Sequence, residues 1–190
     1  IRKCISCNVG CVGNRIGGNK PLRCTVNPDL INGEAYKKQK VNKPCNVVVI
    51  GAGTAGLEAA CTAAEVGCKV TLLEKEKEAG GLSVEISKIP AKKRLADFPT
   101  YLKYRASKLP NLTIKTGVDA TVAEIKKYNP DLVVNATGSV PLLPPIEGLH
   151  DNLGKKDASV YSIKEMIADV KNYPEDMTGK KGVVVGGGAV

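Results

Sequence analysis

The stretch VVVIGAGTAGLEAA, residues 47–60, constrains the fold more than any other part of this chain. A short β-branched run, NVVVI (46–50), reads as a buried strand. It runs straight into Gly51, Gly53 and Gly56, and an Ala-rich helix is expected from Thr54 to Val66, closed by Gly67. A second apolar run, KVTLLE (69–74), ends on Glu74. Strand, glycine turn, helix and strand in that order are the signature of an α/β domain. The glycines have separate tasks there: Gly51 for the tight turn, Gly53 for close approach of a pyrophosphate, Gly56 for helix–strand packing. An anion at the helix start meets free N–H groups and the positive end of the helix dipole. Glu74 stands where a carboxylate accepts hydrogen bonds from a ribose diol. The expected cradle is therefore Gly51, Gly53, Thr54, Ala55 and Gly56, with Glu74 and the adjacent Lys75 at the ribose. An acidic residue at this position admits NAD or FAD and repels the 2′-phosphate of NADP.

Further along, DFPTYLKYRASKL (97–109) reads as a helix with Pro99 near its first turn. LTIKTGV (112–118) reads as extended, VAEIKKY (122–128) as a short helix, and DLVVNATG (131–138) as another buried strand. YSIKEMIADVK (161–171) reads as an amphipathic helix with Ile163, Met166, Ile167 and Val170 on one face. Three regions follow: a Cys-rich segment and linker over 1–45, an α/β nucleotide-binding domain over 46–149, and a connector with one more strand over 150–190. Both ends read as cuts, because Ile1 is not Met and VVVGGGAV stops inside an apolar strand running into glycines. The expectation is a piece of a longer chain with two nucleotide-binding domains.

Cys4, Cys7, Cys11 and Cys24 fall at C-x2-C-x3-C-x12-C. Zinc sites pair two C-x2-C knuckles, and only one is present. Three thiolates from one loop and a fourth from a returning segment suit a 4Fe-4S cluster, with zinc and free thiols or disulfides as the alternatives. Cys45, Cys61 and Cys68 lack such spacing and read as small buried hydrophobes. His150, the only histidine, sits in a Gly/Asp/Asn loop and reads as exposed and structural; no residue has the setting of a catalytic acid, base or nucleophile.

The net charge of +9 invites a nucleic-acid partner, but the lysines are dispersed and aromatics are scarce, with no Trp. A solvated basic surface is the expectation, with no nucleic acid. No run approaches eighteen apolar residues and the N-terminus lacks a signal peptide's apolar core, so no membrane span and a cytoplasmic location are expected.

KEAGGL (77–82) places a glycine pair just past the ribose site, and LVVNATGSVPLLPPIEG (132–148) places Ala-Thr-Gly at a strand's end before a proline-rich crossing. With the glycine turn, these resemble the Rossmann-like, three-layer FAD domain of the glutathione-reductase-like flavoproteins. There the FAD domain is interrupted by an NAD(P)H domain, whose entry GVVVGGGAV (182–190) is similar to. CISCNVGC…CTVNP followed by GAGTAGLEAA resembles the family of 2,4-dienoyl-CoA reductase, enoate reductase and trimethylamine dehydrogenase over nearly the whole chain.

That resemblance implies an FMN-binding TIM barrel before this segment and an NAD(P)H domain after it. By position it makes Cys4, Cys7, Cys11 and Cys24 the cluster ligands. It sets Gly81 and Leu82 beside FAD, Val118 at the adenine through its backbone, and Ala136, Thr137 and Gly138 near the pyrophosphate. Dienoyl-CoA reductases often carry Gln where this chain has Leu82. The implied route is NAD(P)H to FAD to cluster to FMN, reducing an activated C=C bond of a small-molecule substrate. The implied partners are the rest of the same chain and, in a homo-oligomer, a second copy. A glutamate-synthase small-subunit-like electron-input module, a structural domain holding ADP and a zinc-binding module are the rival readings.

Overall fold

The computed structural model describes residues 1–31, 33–155, 160–168 and 178–186. They divide into two units, Ile1–Leu142 and Leu143–Val190.

The first unit is built on a four-stranded parallel sheet of β1 (Asn46–Ile50), β2 (Lys69–Glu74), β3 (Leu112–Thr116) and β4 (Leu132–Asn135), in the order β3-β2-β1-β4. The glycine-turn helix α1 (Thr54–Glu65) and helix α3 (Asp97–Ala106) pack on one face, with the short α2 (Leu82–Ile86) before α3. Val47, Val49, Val70 and Leu72 meet Leu57, Ala60, Ala64 and Leu102 there in one buried cluster. Alternation turns Val48 and Thr71 to the other face, where they line a cavity of about 290 Å³ with Lys127, Tyr128 and Asn129. The crossover carrying α4 (Val122–Lys126) runs on that side, so helices, sheet and crossover make three layers.

Central strands buried on both faces are continuous apolar runs, and Val47, Val48 and Val49 are all buried. The expectation of a buried strand over 131–138 fails: Leu132 and Val133 are 54% and 43% exposed. β4 is the sheet's edge and has β1 as its one neighbour among the described residues. The strand over 112–118 stops at Thr116 because Gly117, at φ +71°, turns the chain. Gly67, at φ +112°, follows the end of α1 as the C-terminal glycine signal predicts.

The N-terminal segment is irregular, as expected, apart from a wide helical stretch over Val9–Gly17 and a single turn over Gly33–Tyr36. Arg2 ties it to the sheet unit. Its guanidinium lies 5.6 Å from the centre of the Tyr101 ring, donates to the Tyr101 hydroxyl at 3.3 Å, and reaches Asn27 Oδ1 at 3.0 Å.

The second unit holds α5 (Leu149–Asn152) and α6 (Ile163–Ala168). Of the expected apolar face of α6, Ile167 is buried, Ile163 and Met166 are exposed, and Val170 lies outside the described residues. The strand expected over 183–185 is not formed: nothing among the described residues pairs with it, and Val183 and Val184 are almost fully exposed. The rest of the second glycine turn, 187–190, lies outside the described residues.

Candidate functional site

The site gathers at the C-terminal ends of β1, β2 and β4, where an open parallel sheet leaves its crevice. Gly51, at φ +93°, turns out of β1, and a Cβ there would sit 2.4 Å from the Ala136 carbonyl oxygen. Ala136 N donates to Ile50 O at 2.8 Å, so the Ala-Thr-Gly segment lies directly against the turn. A Cβ on Gly56 would stand 1.8 Å from the Gly51 oxygen, which closes the turn onto α1. Gly80 N donates to Ala52 O at 2.8 Å, and a Cβ on Gly81, at φ +60°, would fall 2.8 Å from the Gly53 Cα. The glycine pair is thus stacked on the glycine turn, with Leu82 half-exposed behind it at the start of α2.

Gly53 differs from its neighbours. Its backbone, at φ −71° and ψ −174°, is open to any residue, and a Cβ there would meet nothing within 4 Å. Neither conformation nor packing asks for glycine at this position. What remains is room for a group outside the chain. Gly53 also caps α1 without a side-chain hydrogen bond, and the first-turn N–H groups at Thr54 and Ala55 lie beyond the reach of any intrahelical acceptor. These residues fit a dinucleotide's pyrophosphate.

Glu74 is 8% exposed and anchored at both oxygens. Ala52 N donates to Oε2 at 2.6 Å and Glu76 N donates to Oε1 at 2.9 Å. Before it meets any ribose, the carboxylate is a strut between β2 and the glycine turn. Val118 N donates to the Glu74 carbonyl oxygen at 2.9 Å, which brings the expected adenine and ribose positions together. Lys75 is exposed beside them. Thr137 donates through both N and Oγ1 to Asn135 Oδ1, at 3.3 and 2.9 Å, and Gly138 holds φ +80°.

Sequence reading missed Ala52, Gly80 and Asn135 as parts of this frame. Gly80 was legible as half of the glycine pair. Nothing in the spacing marks Ala52, which acts through its backbone, or Asn135, which acts on a neighbour's hydroxyl.

The four cysteines are brought together by backbone rather than by converging thiols. Arg23 N donates to Gly10 O at 2.8 Å, and a Cβ on Gly10 would meet the Arg23 oxygen at 2.7 Å. This zips the loop of Cys7 and Cys11 to the returning segment of Cys24. Cys7 Sγ lies 3.3 Å from Thr25 Oγ1, and Ser6 N donates to Cys4 Sγ at 3.4 Å. Ser6 and Asn8 hold left-handed backbone, at φ 57° and 54°, which bends the loop tightly. Burial pushes the Cys7 thiol up, but Thr25 and the N–H groups of Val9, Cys7 and Gly10 outweigh it and leave it below the ordinary thiol range. Among the described residues no three Cys, His, Asp or Glu side chains converge on a common metal position. The donor chemistry, four thiols on a tightly folded loop and its return, fits an iron–sulfur cluster; the sulfur positions are not closed around one.

A groove of about 420 Å³ joins the two parts, lined by Thr25 and Val26 from the cysteine segment, Thr54 and Glu58 from α1, and Phe98 from α3. No described helix is long and apolar enough to cross a membrane.

Residues 11–97 match the model of the pyridine nucleotide-disulphide oxidoreductase family. All of the chain aligns with an NADH oxidase of Thermoanaerobacter brockii at 38% identity, covering 28% of that protein. It also aligns throughout with a cinnamate reductase of Clostridium sporogenes at 34% identity, covering 26% of it. Among solved structures, a 2-naphthoyl-CoA reductase complex superposes with a TM-score of 0.74 at 35% identity, over 79% of this chain and 23% of that one. The chain thus spans about a quarter of the length of these relatives.

Proposed function

The chain belongs to the enoate reductase and trimethylamine dehydrogenase-like family of flavin oxidoreductases, and on that footing we propose that it is the FAD- and cluster-holding electron-transfer segment of an NAD(P)H-dependent reductase. In this reading FAD supplies two-electron exchange with NAD(P)H and the 4Fe-4S cluster single-electron passage to an FMN on a TIM barrel, for reduction of an activated C=C bond of the enoate or dienoyl-CoA type.

The chain's own residues bind and position. Gly53 leaves the space for the pyrophosphate, and the N–H groups at the start of α1 face its charge. Glu74 holds the turn in shape through Ala52 and offers its carboxylate to the ribose. Asn135 orients Thr137 beside the turn, and Leu82 borders the site without a polar contact. Cys4, Cys7, Cys11 and Cys24 supply the cluster thiolates, with Thr25 and the Ser6 N–H as hydrogen-bond partners to sulfur.

The observation that carries the reading is Gly53, a glycine whose absence of side chain serves nothing inside the protein. The cysteine segment adjoining α1 across the Thr25–Thr54 groove supports electron passage between the two cofactors. The full-length protein, purified without oxygen, should yield FAD on denaturation and about four irons per cysteine segment, as four thiolates imply. Zinc in place of iron, or protein free of FAD after reconstitution, would refute it.

A further inference from the structure

Cys45 and Cys68 belong to neither site. Each stands one residue before a strand, with β1 beginning at Asn46 and β2 at Lys69. Asn46 and Lys69 are ladder partners, so the two cysteines continue the same register by one step. Lys69 N donates to Cys45 O at 2.9 Å, which holds the two backbones together at that step. Neighbouring strands lie about 4.8 Å apart, inside the 4.4–6.8 Å range of Cα separations that a disulfide accepts. The sulfurs are 3.5 Å apart. Both cysteines precede their strands, so small changes of backbone and χ1 are available to bring the sulfurs into bonding distance. Cys61 is a contrast: fully buried within α1, its thiol pointing at Leu102 O and pushed up to about 11 by burial. That cysteine is the small hydrophobe expected from sequence; the Cys45–Cys68 pair is something more.

We propose that Cys45 and Cys68 form a redox dithiol site that an oxidant of the peroxide class closes into a disulfide, stapling the entry of β1 to the entry of β2. Cys45 is half-buried and Cys68 is 4% exposed, so attack starts at Cys45. Its sulfur displaces one oxygen of the peroxide, which leaves as water, and becomes a sulfenic acid. The Cys68 sulfur then attacks that sulfenic sulfur, the S–O bond breaks, and a second water leaves. Two thiols are oxidised by two electrons in all, and one peroxide is reduced to two waters. The Cys68 thiol, burial and the Asp131 carboxylate hold the Cys45 thiol above its ordinary range, so the attacking sulfur is held as a thiol and reacts slowly.

The bond would enclose residues 46–67, which contain the whole of β1, the glycine turn and α1. It would form at the N-terminal ends of the strands, away from the cradle at their C-terminal ends. Val41 N already donates to Val66 O at 2.9 Å, so the linker from the cysteine segment is docked at this spot. Oxidation would therefore stiffen the nucleotide-binding unit and its link to the cysteine segment without closing the crevice.

The test uses the full-length protein, fully reduced, then treated with hydrogen peroxide, alkylated and mapped as non-reduced peptides. The expected product is one Cys45–Cys68 cross-linked peptide, two hydrogens lighter than its parts, that dithiothreitol reverses. The unfolding midpoint of the oxidised protein should rise by about 5–15 °C, from closure of a loop of about 24 residues. Cys45→Ser, at a half-buried position, should abolish both the cross-link and the rise; Cys68→Ala should do the same. Recovery of both residues as alkylated thiols after peroxide, Cys45 as a sulfinic acid beside free Cys68, or Cys45 joined to any other cysteine would overturn the proposal. None of these readouts depends on flavin or iron.

Discussion

Replacing Glu74 by Ala should destabilise the chain before any ligand is involved. Its carboxylate accepts from Ala52 N at 2.6 Å and Glu76 N at 2.9 Å, and Ala52 is fully buried. Hydrogen bonds to a charged acceptor contribute about 1.5–3 kcal/mol each, and a buried N–H left without a partner costs about 1–3 kcal/mol. Solvent reaches Glu76 and can replace the second bond, so the loss is dominated by Ala52 and should total about 2–4 kcal/mol. At a urea dependence of about 2 kcal/mol per molar, that is a shift of about 1–2 M in the unfolding midpoint. Glu74→Gln keeps one acceptor oxygen and turns an NH2 toward the other N–H, so it should lose about half as much. Both variants are measured by urea unfolding followed by circular dichroism, with flavin removed. A flavin-free Glu74→Ala protein unfolding within 0.5 kcal/mol of its parent would refute the strut and leave Glu74 only its proposed place at the ribose.

Gly53→Ala should fold with near-parent stability, since its Cβ meets nothing within 4 Å, yet lose at least about tenfold in FAD affinity by titration of the apoprotein, the scale of one lost close contact. Gly56→Ala, whose Cβ would stand 1.8 Å from the Gly51 oxygen, should instead lower the thermal midpoint, and equal behaviour of the two variants would contradict the division of roles. Gly10→Ala would press on the Arg23 oxygen at 2.7 Å and part the two arms of the cysteine loop; iron per chain after anaerobic reconstitution should fall while FAD content holds. Arg105 bridges Glu58 and Glu65 across α1 and α3 at 9% exposure. Removing it by Arg105→Met strands two carboxylates and should cost about 3 kcal/mol in chemical unfolding. Burial pushes Glu65 up, but hydrogen bonds from Arg105 and Lys38 outweigh it and bring it down to about 2 from an ordinary 4.5. A lowered carboxylate stabilises the fold fully above its unfolded value, so this contribution is present above about pH 4.5 and lost as pH falls toward 2. With Glu65 about a quarter exposed, the loss is on the order of 2 kcal/mol after solvent screening, and Glu65→Gln should flatten that acid limb of the stability curve.

Local signals were strong wherever one stretch of chain answers to its own neighbours. The strand at 46–50, the helix from Thr54, the strand at 69–74 and the glycine after α1 were all legible, because β-branched runs, small-residue helices and left-handed glycine positions are set within a few residues. The gathering of Ala136–Gly138 and Gly81 onto the turn was legible only through family resemblance, since those segments lie far apart in sequence. The exposure of β4 escaped detection because a strand reads as apolar whether or not its outer edge is covered. The strand expected at 183–185 reads apolar too, but a strand forms by pairing, and no described neighbour pairs with it.

By itself the sequence determined the strand–turn–helix unit, the spacing of the four N-terminal thiols and the acidic residue at the end of β2, all of which are carried by residue type and short spacing. Tertiary structure alone decided that Gly53 is empty for no internal reason and that Glu74 braces Ala52 as well as facing the crevice. It also decided that Cys45 and Cys68, twenty-three positions apart, stand 3.5 Å from each other. The physical reason is that parallel strands bring together the residues before their first ladder rungs whatever separates them along the chain, and the pairing of Asn46 with Lys69 sets Cys45 beside Cys68.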